Sequence, residues 1–246
     1  MRTLVLQSHE PARLDGWIGL CCNTVKTWAA QHDFDYRFTG NEAFDLLPGW
    51  YRDKTKARPP VAADLARLLL ARDALAGGDY QRVVWCDADV LVLSAEAFTL
   101  PQGEPACFGQ EIWVEADKQG KLRARRNIHN AICCFEMDGP VLPFLIHTTQ
   151  RIIERVDPAF IAPQIVGPKL IGALHNLAGF GVIEQAGALS PAVIDAVLAG
   201  GGMALDILKR ESPVMPAAVN LCASLAGNRS DAEMRVLCQR LLADGL

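Results

Sequence analysis

The sequence predicts an α/β fold: a mostly parallel sheet flanked by helices, continued by a mixed C-terminal half. Three observations carry the prediction. Strand-like and helix-like segments alternate through the first 93 residues, the pattern that builds βαβ crossovers. The run RVVWCDADVLVL (82–93) is apolar on both sides of its two aspartates, as a strand covered on both faces must be. From residue 106 the order changes to two strand-like segments followed by four helical ones. A chain of 246 residues, half of them hydrophobic, is large enough for one such domain. Its parts are an N-terminal half (1–93) and a C-terminal half (94–246).

RTLVLQS (2–8) is the first strand. Residues 14–32 bring Trp17, Leu20, Cys21, Thr24, Val25 and Trp28 to helical spacing. FDYRFTG (34–40) alternates apolar and polar residues, as a second strand does. YRDKTKARPP (51–60) reads as a basic loop closed by two prolines. VAADLARLLLARDALAGG (61–78) reads as a helix with Leu65, Leu68, Leu69 and Leu75 on its apolar side and Gly77-Gly78 as its stop. The 82–93 strand follows. Segments 106–115 and 130–137 are the later strands, with the basic stretch KQGKLRARRNIHN before the second. Its reading is a solvated loop, or else a lid or an anion dock. Helices are predicted at 140–156, 168–177, 191–200 and 231–243. Gly200-Gly201-Gly202 is a flexible loop without the strand and spacing of a dinucleotide fingerprint.

Composition narrows the function. A net charge of −4 argues against a nucleic-acid binder. No run of 18 apolar residues and no long apolar stretch after Arg2 are present, so the expectation is a cytoplasmic chain without a transmembrane segment. The eight cysteines form no C-x-x-C pair, which predicts buried free thiols rather than a zinc site.

Asp87 and Asp89 interrupt the apolar run, and two nearby buried carboxylates are costly unless something offsets their charge. On an extended strand they share a face, roughly 6.6 Å apart, and a turn brings them closer. Such an oxygen pair suits Mg²⁺ or Mn²⁺, which takes its remaining ligands from phosphates and water. The alternatives are turn caps or partners of structural arginines. In the preceding helix Asp64 and Arg67 lie three apart on one face, as a surface ion pair or as part of the same site.

The block AADLARLLLARDALAGGDYQRVVWCDADVLVL resembles the core of the D-x-D sugar-binding glycosyltransferases, the GT-A-fold group of the yeast-type α-mannosyltransferases and the clostridial glucosylating toxins. VGPKLIGALHN (166–176) is similar to a downstream segment of that family, with Val166 where Thr is usual. The family's C-terminal His-x-x-x-x-Ser-Trp segment has no match; AAVNLCASL (217–225) is the nearest stand-in. The resemblance implies a nucleotide-binding first half, an acceptor and lid half, and transfer from a UDP- or GDP-linked sugar with retained configuration. It also implies Mn²⁺ (or Mg²⁺) held by Asp89 with Asp87, and a donor sugar gripped by Asp64, Arg67 and Asp87. The acceptor, whether glycan, lipid-linked or protein, is left open.

Further candidates are His129 and Asn130, as acceptor-side or turn residues, and Lys169, at a helix start where a phosphate is stabilised. Asn220 is an expected metal ligand through its amide oxygen and Ser224 a phosphate contact, the segment otherwise being a core helix with Asn220 as its cap. Three other functions share these features: a nucleotidyltransferase, a haloacid-dehalogenase-type phosphatase and a nucleotide-sugar-binding protein without turnover.

Overall fold

The computed structural model describes residues 1–225 and 229–246. Nine strands and eight α-helices follow one another as β1 (Thr3–Ser8), α1 (Trp17–Gln31), β2 (Asp35–Thr39), α2 (Gly49–Thr55), α3 (Pro59–Ala76), β3 (Arg82–Cys86), β4 (Val90–Val92), β5 (Ala106–Ala116), β6 (Leu122–Glu136), α4 (Val141–Arg155), α5 (Pro168–Ala178), β7 (Gly181–Ile183), β8 (Ala186–Ala188), α6 (Pro191–Ala199), α7 (Met203–Glu211), β9 (Ala218–Asn220) and α8 (Asp231–Asp244), counted among the described residues. The main sheet has the order β2-β1-β3-β6-β5-β7, and only β6 runs against the others. A small second sheet has the order β4-β9-β8.

The alternation of each strand divides its side chains between two layers. Leu4, Leu6, Val83 and Trp85 face α3 and α4, whereas Val5, Val84 and Cys86 face α1 with its fully buried Trp28. A third cluster sits under the second sheet, where Leu91, Ile112, Val114 and Val219 meet α6, α7 and α8. The predicted thiols are free, and seven of the eight are buried, Cys222 being half-buried. Among the described residues no single helix is long and apolar enough to cross a membrane.

Four expectations are corrected. The 82–93 run is two strands in different sheets, because the chain turns at Asp87–Asp89 once β3 has reached the edge of the core. Residues 49–55 form α2, which buries Tyr51 and Thr55 between basic residues, and the prolines open α3 instead of closing a loop. The basic stretch is the tip and second arm of the β5–β6 hairpin, turned by Asp117, whose Oδ1 accepts from Gln119 and Lys121 N–H. Residues 217–225 contain β9 rather than a helix; three consecutive buried residues carry no period that separates the two. The short β7 and β8 and the helix α7 add to the predicted elements.

Gln7 couples the sheet to the turn. Fully buried at the end of β1, it donates through Nε2 to the Asp87 carbonyl at 3.1 Å and accepts from Tyr36 Oη at 2.9 Å. Gln7→Leu leaves Tyr36 Oη without its acceptor and takes one of two donors from the Asp87 carbonyl, which Val90 N–H still reaches at 3.1 Å, and is expected to lower the unfolding free energy by about 1–3 kcal/mol, measured by denaturant titration. A loss under about 0.5 kcal/mol contradicts this coupling.

Candidate active site

Arg67 is the hub of the site. Its helix α3 is covered on most sides, so Arg67 and Asp64 are 6% and 5% exposed. This corrects the surface-pair alternative. Nη2 lies 3.3 Å from Asp64 Oδ1, and Nη1 lies 3.0 Å from Asp87 Oδ1 and donates to the Asn130 carbonyl at 2.7 Å. The guanidinium also rests over the Trp85 ring at 5.4 Å from its centroid, within the reach of about 6 Å over which a cation is attracted to a ring face. Asn130 Nδ2 donates to Asp64 Oδ1 at 2.8 Å, and Trp85 Nε1 to Asp87 Oδ1 at 2.6 Å.

A bulge in the hairpin makes these contacts available. Phe108 pairs with Cys133, but the next residue, Gly109, pairs with His129, so residues 130–132 of β6 skip their partner strand. The freed Asn130 carbonyl accepts the hydrogen bond from Arg67 Nη1, and the Ala131 carbonyl accepts from Asp87 N–H at 2.7 Å. Two glycines give the room. A Cβ on Gly109 would come within 2.4 Å of His129 Nε2, and one on Gly167 within 2.6 Å of Asp64 Oδ2. The Gly-Pro segment of the sequence resemblance thus packs on Asp64.

Asp89 is held differently. Oδ1 accepts from Asn220 Nδ2 at 2.6 Å and Oδ2 from Ala223 N–H at 2.7 Å, so the 220–223 backbone wraps it. The Asn220 amide oxygen accepts from Cys222 N–H at 2.9 Å; it is the nitrogen of this amide that faces Asp89. Burial raises the pKa of Asp64 and takes that of Asp87 up to about 6, with Arg67 opposing and Asp89 adding to the rise at Asp87.

Two cavities meet at this turn. The larger, about 640 Å³, is lined by Asp64, Arg67, Asp87 and Asp89, and by the hairpin residues Glu111, Trp113, Glu115 and Asn127. The smaller, about 370 Å³, opens at the ends of β1 and β2 beside Ser8, Phe44 and Trp85. Asp87, Asp89, Arg67 and Ser224 line both. His129, Asn130 and Asn220 line the larger one, so eight of the nine sequence candidates are brought together. Lys169 is the exception: it is exposed at the start of α5 and lines neither cavity.

The geometry can be set beside known proteins. The fold matches that of a solved glycosyltransferase. That solved protein, a glycosyltransferase involved in the glycosylation of the major capsid of PBCV-1, superposes on this chain with a TM-score of 0.50 at 11% identity, the match covering 97% of this chain and 99% of the solved one. The galactosyltransferase LgtC in complex with donor and acceptor sugar analogs gives 0.47 at 14% identity over 96% and 95%, and apo GlyE of Streptococcus pneumoniae gives 0.49 at 13% over 99% and 61%. No family model and no curated protein matches the sequence. The mostly parallel, helix-flanked α/β domain is therefore of the GT-A type.

The hairpin residues Glu111, Trp113 and Glu115 are absent from the sequence candidates. Their signal is a strict alternation with the buried Ile112 and Val114, which marks one polar face of a strand.

Removing Arg67 leaves Asp64 buried without its cation. Arg67→Met is expected to cost about 3–5 kcal/mol in chemical unfolding, against under about 1 kcal/mol for Arg72→Met, whose pair with Asp73 is half exposed. Equal losses for the two would refute the hub.

His129 is 3% exposed, accepts from Ala131 N–H through Nδ1 at 3.2 Å, and is lowered to a pKa of about 4 by burial, with Arg67 adding to the effect. It is neutral when folded and gains a proton on unfolding below its ordinary value near 6.5. Its contribution to stability is complete above pH 6.5 and is lost as the pH falls towards 4. Denaturation of wild type and His129→Asn across pH 4–7 should show the steeper acid loss in wild type; parallel curves would contradict a neutral buried imidazole.

Proposed function

We propose that the protein is a metal-dependent glycosyltransferase that moves a sugar from a UDP- or GDP-linked donor to an acceptor hydroxyl with retention of configuration. The observation that carries this reading is the meeting of two cavities at one pair of carboxylates. The smaller cavity, at the ends of two parallel strands, suits a nucleoside, since α/β sheets bind nucleotides at the carboxyl ends of their strands. The sugar and the acceptor then occupy the larger one.

The residues fit a divalent cation. Asp87 and Asp89 are hard oxygen donors, and among the described residues no group of three or more His, Cys, Asp or Glu side chains could hold an ion by itself. This suits Mn²⁺ or Mg²⁺ shared with a diphosphate, the cation supplying charge to the departing nucleoside diphosphate. Asp89 carries this role, with Asn220 orienting it through the hydrogen bond to Oδ1. Ser224, exposed where the cavities join, offers a hydroxyl to the phosphates.

Asp64 and Arg67 work through position. Their mutual pairing holds both side chains in one geometry, so donor-sugar hydroxyls meet groups that need no reordering. During transfer the bond from the anomeric carbon to the diphosphate oxygen breaks, the acceptor oxygen bonds to that carbon on the same face, and the acceptor's proton passes to the departing diphosphate oxygen. The oxocarbenium-like carbon is stabilised by the nearby carboxylates.

A thermal-shift panel of nucleotide sugars with Mn²⁺ or EDTA tests donor binding. A ligand at 100 times its Kd adds about 2.7 kcal/mol, and each kcal/mol raises Tm by roughly 2–4 °C at this size. Asp89→Asn should abolish the EDTA-sensitive shift in a chain that still unfolds cooperatively; an unchanged shift removes Asp89 from the metal role. Products decide the reaction. Nucleoside diphosphate with free sugar or glycoside supports the transferase. Inorganic phosphate, pyrophosphate or the absence of product despite binding overturns it in favour of a phosphatase, a nucleotidyltransferase or a sensor.

A further inference from the structure

We propose that the cavity wall formed by Glu111, Trp113 and Glu115 is the acceptor subsite and that it takes an uncharged saccharide. The acceptor role rests on the transferase reading above; the saccharide chemistry rests on the wall itself.

The three side chains are two residues apart on β5 and share a face, while Ile112 and Val114 point into the core, 4% and 0% exposed. The strand register sets Asn127 opposite Glu111 and Arg125 opposite Trp113. The cavity is thus bounded along one side by a row of carboxylate, indole and carboxylate, faced by an amide and a guanidinium. A sugar ring presents the complementary chemistry: a C–H face that packs on an indole, and an equatorial fringe of hydroxyls that pair with planar polar groups.

The indole is held by a polar handle. Trp113 Nε1 donates to Glu115 Oε2 at 3.2 Å, and Arg125 Nη2 lies 3.1 Å from Glu115 Oε1, so both oxygens of Glu115 are engaged. Glu111 is the opposite case. It is half-buried beside the cavity and has no hydrogen bond or ion pair among the described residues. Burial, with Glu115 adding, pushes its carboxyl up to about 7. Its carboxyl therefore faces the cavity free to pair with a hydroxyl of a bound acceptor.

Charge and polarity select among acceptors. Five carboxylates (Asp64, Asp87, Asp89, Glu111, Glu115) and three arginines line the cavity. Each arginine is already matched: Arg67 by Asp64 and Asp87, Arg125 by Glu115, and Arg126 by Glu211. No lining arginine is therefore left over to pair with the phosphate or carboxylate of an anionic acceptor. The apolar lining is the Trp113 indole with prolines and alanines, and among the described residues Leu225 is its one long aliphatic side chain, which suits a sugar's C–H face better than a lipid chain.

Saturation-transfer NMR on the full chain tests the subsite. The probes are lactose, maltose and cellobiose as uncharged disaccharides, sialyllactose as an anionic one, and a serine-rich peptide. The expected result is binding of at least one uncharged disaccharide, in preference to sialyllactose and the peptide. Trp113→Ala and Glu111→Leu should each weaken it at least tenfold, and Trp50→Ala, an exposed tryptophan outside the cavity, should not. Should Trp113→Ala fail to fold, Glu111→Leu decides. No saccharide signal from a chain that binds Mn²⁺ and nucleotide overturns the subsite and leaves the transferase reading standing. Preference for the anionic probe or the peptide, or unchanged affinity in the cavity variants, overturns it as well. Saccharide binding without any metal-dependent nucleotide binding supports the saccharide site and overturns the transferase reading.

Discussion

The site depends on one arginine placed between two carboxylates inside the protein. Arg67 is buried, and so is Asp64; neither would be tolerable there alone. Their ion pair, the Asn130 amide and carbonyl, and the contact to Asp87 satisfy each other's charge and hydrogen bonds. The arrangement also divides the two aspartates of the D-x-D turn. Asp87 is partly neutralised from within the protein by Arg67. Among the described residues Asp89 has no ion pair and receives the neutral donors of the Asn220 amide and the Ala223 N–H.

The division follows from topology. β3 ends in the main sheet at Cys86 and β4 starts in the second sheet at Val90, so the turn between them belongs to both. Gln7 and Ala131 hold its first residue to the main sheet, while Asn220, Leu221 N–H and Ala223 hold Asp89 to the chain leaving β9. Movement of the 220–223 backbone would therefore be felt at Asp89 directly. The same turn separates the two cavities, which is why its side chains reach both.

Much of this was legible because buried charge is conspicuous in a sequence. Two aspartates in an apolar run and an Asp-x-x-Arg step in the preceding helix mark the residues that the fold brings together. The period of α3 was equally clear, though it did not show that the polar pair lies on a covered face. The hairpin was hidden for another reason. Its second arm extends past the core, so Arg123, Arg125 and Arg126 stand on a strand whose stability comes from pairing with β5 rather than from burial. The bulge at Gly109, which frees the backbone for Arg67, is a register shift that no local pattern announces. β9 was missed because burial on all sides erases periodicity, and with it the turn that puts the Asn220 nitrogen on Asp89.

The central claim is that Asp89, which has no ion pair among the described residues, holds a divalent cation against a nucleoside diphosphate. Anomalous scattering from crystals grown with Mn²⁺ and UDP or GDP tests it most directly. The account predicts one manganese peak in contact with the Asp89 carboxylate and the diphosphate, with the Arg67 contacts to Asp64 and Asp87 preserved. A diphosphate bound with no manganese at Asp89, or a manganese ion bound elsewhere, would contradict it.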